Sequence, residues 1–395
     1  MIHNLPETWS SVSLEDCADI KPRSRIADSV KVATFLAMSD VSETGEITGC
    51  STVELATLGT GYTCFQNNDV LVAKITPCFE NGKGALAHGL KNGIGFGSTE
   101  FHVLRAKEKI LPSFLHLITT THRFRATGEF TMSGSAGQKR VPAEFLRYYP
   151  IQLPPLGEQS RIIEFVSAWD SAIEKTRRVI AAKTLRLSHL REHHLTKPNQ
   201  SGRIKLKTAT RESTARNGKR LGREAIMAVT KQVGMRPMRE ETIAAAIDRY
   251  KVVRPKAFAY NPMRLNIGSI ALSSFEDDVL VSPDYVVFEC DDRKLLSGYL
   301  NHLRRTRLWA GHFEAAGSGG VRIRIYYDDL GAFNFPLLPV AEQQRVLSVL
   351  DAGVMEIETL ERYLSALKTQ KRGLMQKLLT GQWRVPVEND NEVAA

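Results

Sequence analysis

A chain of 395 residues is too long for one small core, and at roughly 100–200 residues per domain it calls for two or three units. Hydrophobic residues make up 43% and charged residues 24%, which excludes a mainly disordered chain, a collagen-like chain and a small disulfide scaffold. Fifty-three Lys and Arg against 43 Asp and Glu leave a net charge of +10, a balance that leans toward a polyanionic partner.

No run of about 18 apolar residues occurs, so no transmembrane helix is expected. The start MIHNLPETWSS lacks a basic segment and an apolar run and does not read as a signal peptide. Cys17, Cys50, Cys64, Cys78 and Cys290 are scattered and odd in number. A disulfide framework and a zinc cluster are therefore not expected, and a reducing cytoplasm fits.

In chain order, Asp69–Ile75 reads as a strand that stops before Pro77, and Gly93–Gly97 as a glycine-rich turn. Glu100–Arg105 reads as another strand. Phe114–Ile118, continuing to Arg123, reads as a helix. Ser133–Arg140 is a loop of small and polar residues before the strand-like phrase at Pro150–Pro155. A long helical segment follows over 156–196. Residues 197–223 then carry nine Lys and Arg against the single acid Glu212, which reads as a solvated basic linker or a segment that tracks phosphates.

Beyond the linker the order repeats. Ile267–Leu272 and Tyr285–Glu289 read as strands, and about Leu295 to Trp309 as a helix. The loop Gly317–Gly320 leads into the alternating strand Val321–Ile325, and Phe335–Pro339 opens a second long segment. Aligned without a gap, residues 156–196 and 340–380 are identical at 11 of 41 positions, where chance gives about three at ordinary residue frequencies. The shared positions include Glu158/Glu342, Gln159/Gln343 and Arg161/Arg345.

Val346, Leu350, Val354, Ile357, Leu360, Leu364, Leu367, Leu374 and Leu378 recur at steps of mostly three and four, with Lys371 the one polar position in the series. Ile162, Val166, Ile173, Ile180, Leu187 and Leu190 keep the same frame in the first segment. About 40 residues at 1.5 Å each make a helix of roughly 60 Å. Two such stripes are best covered by each other, although each helix packing only on its own domain is the plainer alternative. The expected fold class is α+β. Two repeated α/β domains are separated by two long antiparallel helices that form an intramolecular coiled coil with pseudo-two-fold symmetry. The expected bounds are 1–155, 156–196, 197–339 (with 197–223 as linker), 340–380, and a tail at 381–395.

Catalytic signatures are missing. There is no phosphate-binding loop, no G-x-S-x-G and no H-E-x-x-H. Asn261–Arg264 only partly echoes the signature of an amino-methyltransferase. Pro283-Asp284 followed by Asp292 and Lys294 imitates a nuclease pattern that the first repeat does not share.

The two glycine-rich loops carry donors suited to phosphates or base edges: Ser133, Ser135, Gln138, Lys139 and Arg140 in one, Ser318, Arg322 and Arg324 in the other. A solvated hairpin tip is the alternative. Lys74, Lys83, Arg123 and Arg264 are weaker DNA-contact candidates, with Arg307 the counterpart of Arg123.

The layout resembles the specificity subunits of type I restriction–modification systems. Leu5–Trp9, the stretches Gly134-Ser135 and Ile151–Gln159, their second version Phe335–Gln343, and the ending Leu378–Gly381 carry the resemblance. It implies two target recognition domains, each reading half of a split double-stranded DNA site, with the paired helices as a ruler. It implies no chemistry in this chain and no cofactor of its own. S-adenosylmethionine is expected on the partner methyltransferase. The implied partners are modification subunits and, through them, restriction subunits, with no membrane role. The outer faces of the long helices around Glu158, Gln159, Glu342 and Gln343 are the expected partner contacts, although these residues also suit helix starts.

Overall fold

The computed structural model describes residues 5–135, 137–197, 202–231, 234–314 and 324–386. The chain divides into two compact units, Met1–Lys175 with Leu364–Ala395, and Thr176–Tyr363. The division falls inside each long helix and not at the helix ends set from the sequence. The reason is that the apolar seam of each half-helix joins the core beside it.

The first unit opens with a strand, Ser10–Ser13, paired antiparallel to Pro150–Leu153. Its main sheet has the order Ala18–Ile20, Phe101–Ala106, Asp69–Ala73, Gly84–Leu86, all antiparallel. Asp69–Ala73 is buried at every position, as expected of an apolar run at the centre of a covered sheet. Asp69 itself is held by Arg105 through two 2.7 Å contacts and accepts from Gln66 N. A second sheet has the order Ser51–Glu54, Val32–Leu36, Ile94–Gly97, Thr63–Gln66, with its central pair parallel.

The glycine cluster at 93–97, expected as a turn, forms a strand over Ile94–Gly97. The fully buried Phe65 ring lies against Gly95, where a Cβ would come within 2.1 Å of it. Glycine here makes room for a ring within a sheet. The helix expected over Phe114–Arg123 is two helices, Pro112–Thr119 and His122–Phe130. The Thr121 hydroxyl caps the second by accepting from Phe124 N, which explains the break.

The second unit repeats the terminal strand pair and the order of the main sheet, while its second sheet is split into two strand pairs linked by a bridge. Arg203–Lys205 pairs with Asn334–Pro336. The main sheet runs Thr210–Ser213, Val286–Cys290, Phe258–Tyr260, Ile270–Leu272. Met227–Thr230 pairs with Gly234–Pro237, Lys251–Val253 pairs with Val279–Val281, and Ile226 bridges Leu280 in parallel.

These pairings correct the linker assignment. From residue 202 the segment is not a connector but the opening of the second folded unit. Leu206 and Ala209 are buried where Leu14 and Cys17 are buried in the first. Its cationic side chains alternate with these few apolar anchors, so charge masked the strand pattern. The helix expected from Leu295 to Trp309 is also two, Ser297–Leu303 and Arg307–Glu314.

The long helices span Leu156–Thr196 and Val340–Leu379. All the seam residues named from the sequence are buried or half-buried. In the first unit Lys371 donates to Asp170 at 2.5 Å, so the polar seam position has a partner. In the second unit Lys183 pairs with Glu356 at 2.7 Å. There, a Cβ on Gly353 would sit 3.2 Å from Leu187. The partner positions fall from 356 to 353 as the first helix rises from 183 to 187, so these segments run antiparallel. Each half-helix also packs on its domain core.

Candidate nucleic-acid interface

The site in the first unit grows from the end of the strand Asp69–Ala73. Lys74 N donates to Glu100 O, Val141 N to Lys74 O, and Thr76 N to Lys139 O, each at 2.9 Å. The loop after residue 132 is thereby tied to two strand ends. Ser133 and Arg140 exchange backbone hydrogen bonds at 3.1 and 2.9 Å, and Gln138 N donates to Ser135 O at 3.0 Å. This closes a tight hairpin. Gly134 has φ +131°, and a Cβ there would meet Gln138 O at 2.8 Å. Only glycine makes that turn without strain.

Ser133, Ser135, Gln138, Lys139 and Arg140 are all exposed on this hairpin. The sequence-derived set is therefore brought together on one loop. Arg140 also holds the Glu100 carboxylate at 2.8 Å. That contact keeps Glu100 below the usual carboxylate range. Lys74 is half-buried beside this pair, and burial lowers its pKa while Glu100 opposes the shift.

Lys83 does not join the display. Its ammonium donates to Met38 O at 2.9 Å, so it holds a neighbouring loop in place. Arg125, unremarked in the sequence, is buried nearby. Its guanidinium donates to the carbonyls of Thr119 (2.8 Å), Gly82 (3.1 Å) and Phe79 (3.2 Å). Burial pushes its pKa down to about 10. No local pattern marks such a residue, because its partners are backbone carbonyls more than forty positions away and one six away. Arg123 is exposed on the helix His122–Phe130, where its charge reaches the Tyr149 phenol.

In the second unit, Arg264 is exposed on the turn that follows the strand Phe258–Tyr260, its N–H donating to Asn261 O at 2.9 Å. Arg324 is exposed next to that turn, since Ile325 N donates to Pro262 O at 3.1 Å. Arg324 and Ile325 are not in a strand, contrary to the alternating pattern. Ser318 and Arg322 lie outside the described residues, as do Gly317–Gly320 and Val321. Arg307 begins its helix, with its N–H donating to Glu192 Oε1 at 2.6 Å.

The expected partner contacts need correction at three of four positions. Gln159 and Gln343 are fully buried. Gln159 accepts from Leu111 N (2.8 Å) and donates to Lys109 O and Pro154 O (both 2.9 Å). Gln343 accepts from Leu296 N (2.9 Å) and donates to Lys294 O (2.7 Å) and Leu338 O (2.8 Å). The same three-bond clasp fastens a long helix to its domain twice. A planar amide, with two donors and an acceptor, is the group this clasp requires. Glu158 is buried as well, accepting from Trp9 Nε1 (2.9 Å) and from Arg384 Nε (2.6 Å) and Nη2 (2.8 Å). Glu342 alone is exposed.

Residues 6–181 match the family model described as the type I restriction modification DNA specificity domain. The specificity subunit of the type I restriction enzyme EcoAI of Escherichia coli is 43% identical over 163 residues, which cover 40% of this chain and 27% of that protein. The corresponding EcoEI subunit of Escherichia coli is 42% identical over 164 residues, with coverages of 40% and 27%. The chain thus spans about a quarter of the length of the curated relatives it matches.

Among solved structures, a chain from work on complex assembly and conformational transition of the type I R-M system aligns with TM-score 0.63 and 19% identity, over 96% of this chain and 100% of that one. The HsdS subunit from Thermoanaerobacter tengcongensis aligns with TM-score 0.53 and 19% identity, over 97% and 99%. These likenesses show a shared fold across nearly the whole chain. The resemblance read from the sequence is borne out. No helix among the described residues is long and apolar enough to cross a membrane.

Proposed function

We propose that this chain is the non-catalytic, DNA-reading specificity subunit of a type I restriction–modification complex. The observation that carries the reading is a plan shared by the two units: the same terminal strand pair and the same main-sheet order, each unit fastened to a long helix by a buried glutamine. On this reading the two units are target recognition domains for the halves of a split double-stranded site. The hairpin 133–140 and the turn 261–264 with Arg324 are their reading edges. The long helices form an antiparallel intramolecular coiled coil that acts as a ruler for the unread spacer.

An exposed hairpin closed by backbone hydrogen bonds suits this work because base discrimination needs donors held in place before DNA arrives. Modification subunits, carrying S-adenosylmethionine, dock on the exposed sides of the helices, with Glu342 a contact and restriction subunits joining through them. The complex works in the cytoplasm. This chain contributes position, not chemistry.

Methylation mapping tests the proposal. The chain is expressed with a candidate methyltransferase partner, and modified adenines are read across a plasmid. A bipartite motif with a fixed gap is expected. An assembled pair that yields no motif overturns the reading. It would favour a coiled-coil scaffold without DNA specificity, whose DNA affinity would be weak and indifferent to sequence at every salt concentration.

A further inference from the structure

Beside the reading hairpin stands an acid that no DNA-contact pattern selects. Glu100 stands just before the strand Phe101–Ala106, and its carboxylate meets the Arg140 guanidinium. Arg140 Nη2 donates to Oε1 at 2.8 Å, and Nε is shared between both oxygens at 3.1 Å. Nη1 donates to Gln138 O at 3.2 Å. Each terminal nitrogen of a guanidinium has two N–H groups, so one on each is left to donate outward. Oε2 receives only the shared contact and keeps capacity to accept. The two side chains are 45% and 23% exposed.

Stability does not explain this pair. Exposed ion pairs contribute little, and the hairpin is already closed by backbone hydrogen bonds. Phosphate binding does not explain it either. A carboxylate that offsets the arginine's charge and repels phosphate oxygens is a poor neighbour for a backbone clamp. The pair instead presents donors beside an acceptor on one edge. In the major groove a G·C pair shows the complementary pattern, with two acceptors on guanine O6 and N7 and a donor on cytosine N4. An A·T pair sets its N6 amino donor against the arginine donors and fits worse.

An acid and an arginine stand at matching places in the second unit. Asp284 stands just before the strand Val286–Cys290, and Arg324 follows the second loop. The hydrogen bond from Arg324 to Tyr326 is the main cause of its raised pKa, and Asp284 adds to it.

We propose, on the reading that this chain recognises DNA, that Glu100 and Arg140 form one base-reading unit for a G·C pair. Arg140 donates to guanine O6 and N7, and Glu100 accepts from cytosine N4. Glu100 is thus a specificity residue and not only a brace for the arginine.

The test is methylation mapping with the full chain in its assembled complex, comparing wild type with Glu100→Gln, Glu100→Asp and Arg140→Lys. The wild-type motif should hold an invariant G·C in one half. Glu100→Gln and Arg140→Lys should each relax that position by about tenfold to a hundredfold, leaving the other half and the gap unchanged. Glu100→Asp, which keeps the carboxylate, should restore part of the preference.

A bipartite wild-type motif that neither variant alters at any single position overturns this inference and leaves the DNA reading standing. So does an even loss of methylation at all sites, which is what a merely structural role gives. No motif from an assembled wild-type complex overturns both.

Discussion

Replacing Gln343 with Leu removes a fully buried amide of similar size and leaves three groups without their partner: Leu296 N–H, Lys294 C=O and Leu338 C=O. Volume is nearly kept, so a cavity is not the main cost. Each lost bond is worth about 1 kcal/mol net, and groups stranded away from water cost more, so the expected loss is about 3–4 kcal/mol. Urea unfolding followed by the fluorescence of Trp309, which is buried in the core of the same unit, reads it as a lower midpoint at unchanged slope. Gln344→Leu makes the same chemical change one position away on an exposed side chain and should shift stability by no more than about 0.5 kcal/mol. If the two variants fall equally, or if Gln343→Leu matches wild type within about 0.5 kcal/mol, the buried clasp is not what fastens this helix.

Arg125→Met should destabilise the first unit by about 3 kcal/mol, because carbonyls at Phe79, Gly82 and Thr119 lose a charged donor; near-neutral denaturation would show that water replaces it without cost. Lys139→Ala should lower the slope of log affinity against log salt by about one, measured by titrating DNA at several salt concentrations. An unchanged slope would remove Lys139 from the interface. Burial pushes His102 and His116 down to about 4 from 6.5. The unfolded chain therefore takes up protons first as pH falls. Stability present above pH 6.5 should be lost between there and about pH 4, by at most about 3 kcal/mol per histidine. Unfolding midpoints measured for wild type and His102→Gln across that range should converge at the acid end, and parallel curves would refute the assignment.

The long helices were legible because periodicity is local. Steps of three and four place Leu350 and Leu367 on one stripe whatever they pack against, and both are buried. The repeat was legible because two segments of one chain can be compared directly. The loop Ser133–Arg140 was legible from Gly134 and Gly137, which permit a turn that other residues resist.

What tertiary structure alone decided concerns partners far apart in the chain. Gln159 and Gln343 stand at helix starts, where polar residues usually face water, and only the folded domain turns them into buried clasps. Glu158 takes its role from Trp9 and Arg384, one near each end of the chain. Residues 202–213 carry the charge of a linker, yet pairing with 334–336 and 286–290 makes two strands of them. Glu100 reads as the opening residue of a strand until Arg140 folds back onto it. Spacing along the chain sets which face a residue occupies; which distant group meets that face is settled only when the cores close, because burial and hydrogen-bond satisfaction belong to the assembled packing and not to any local window.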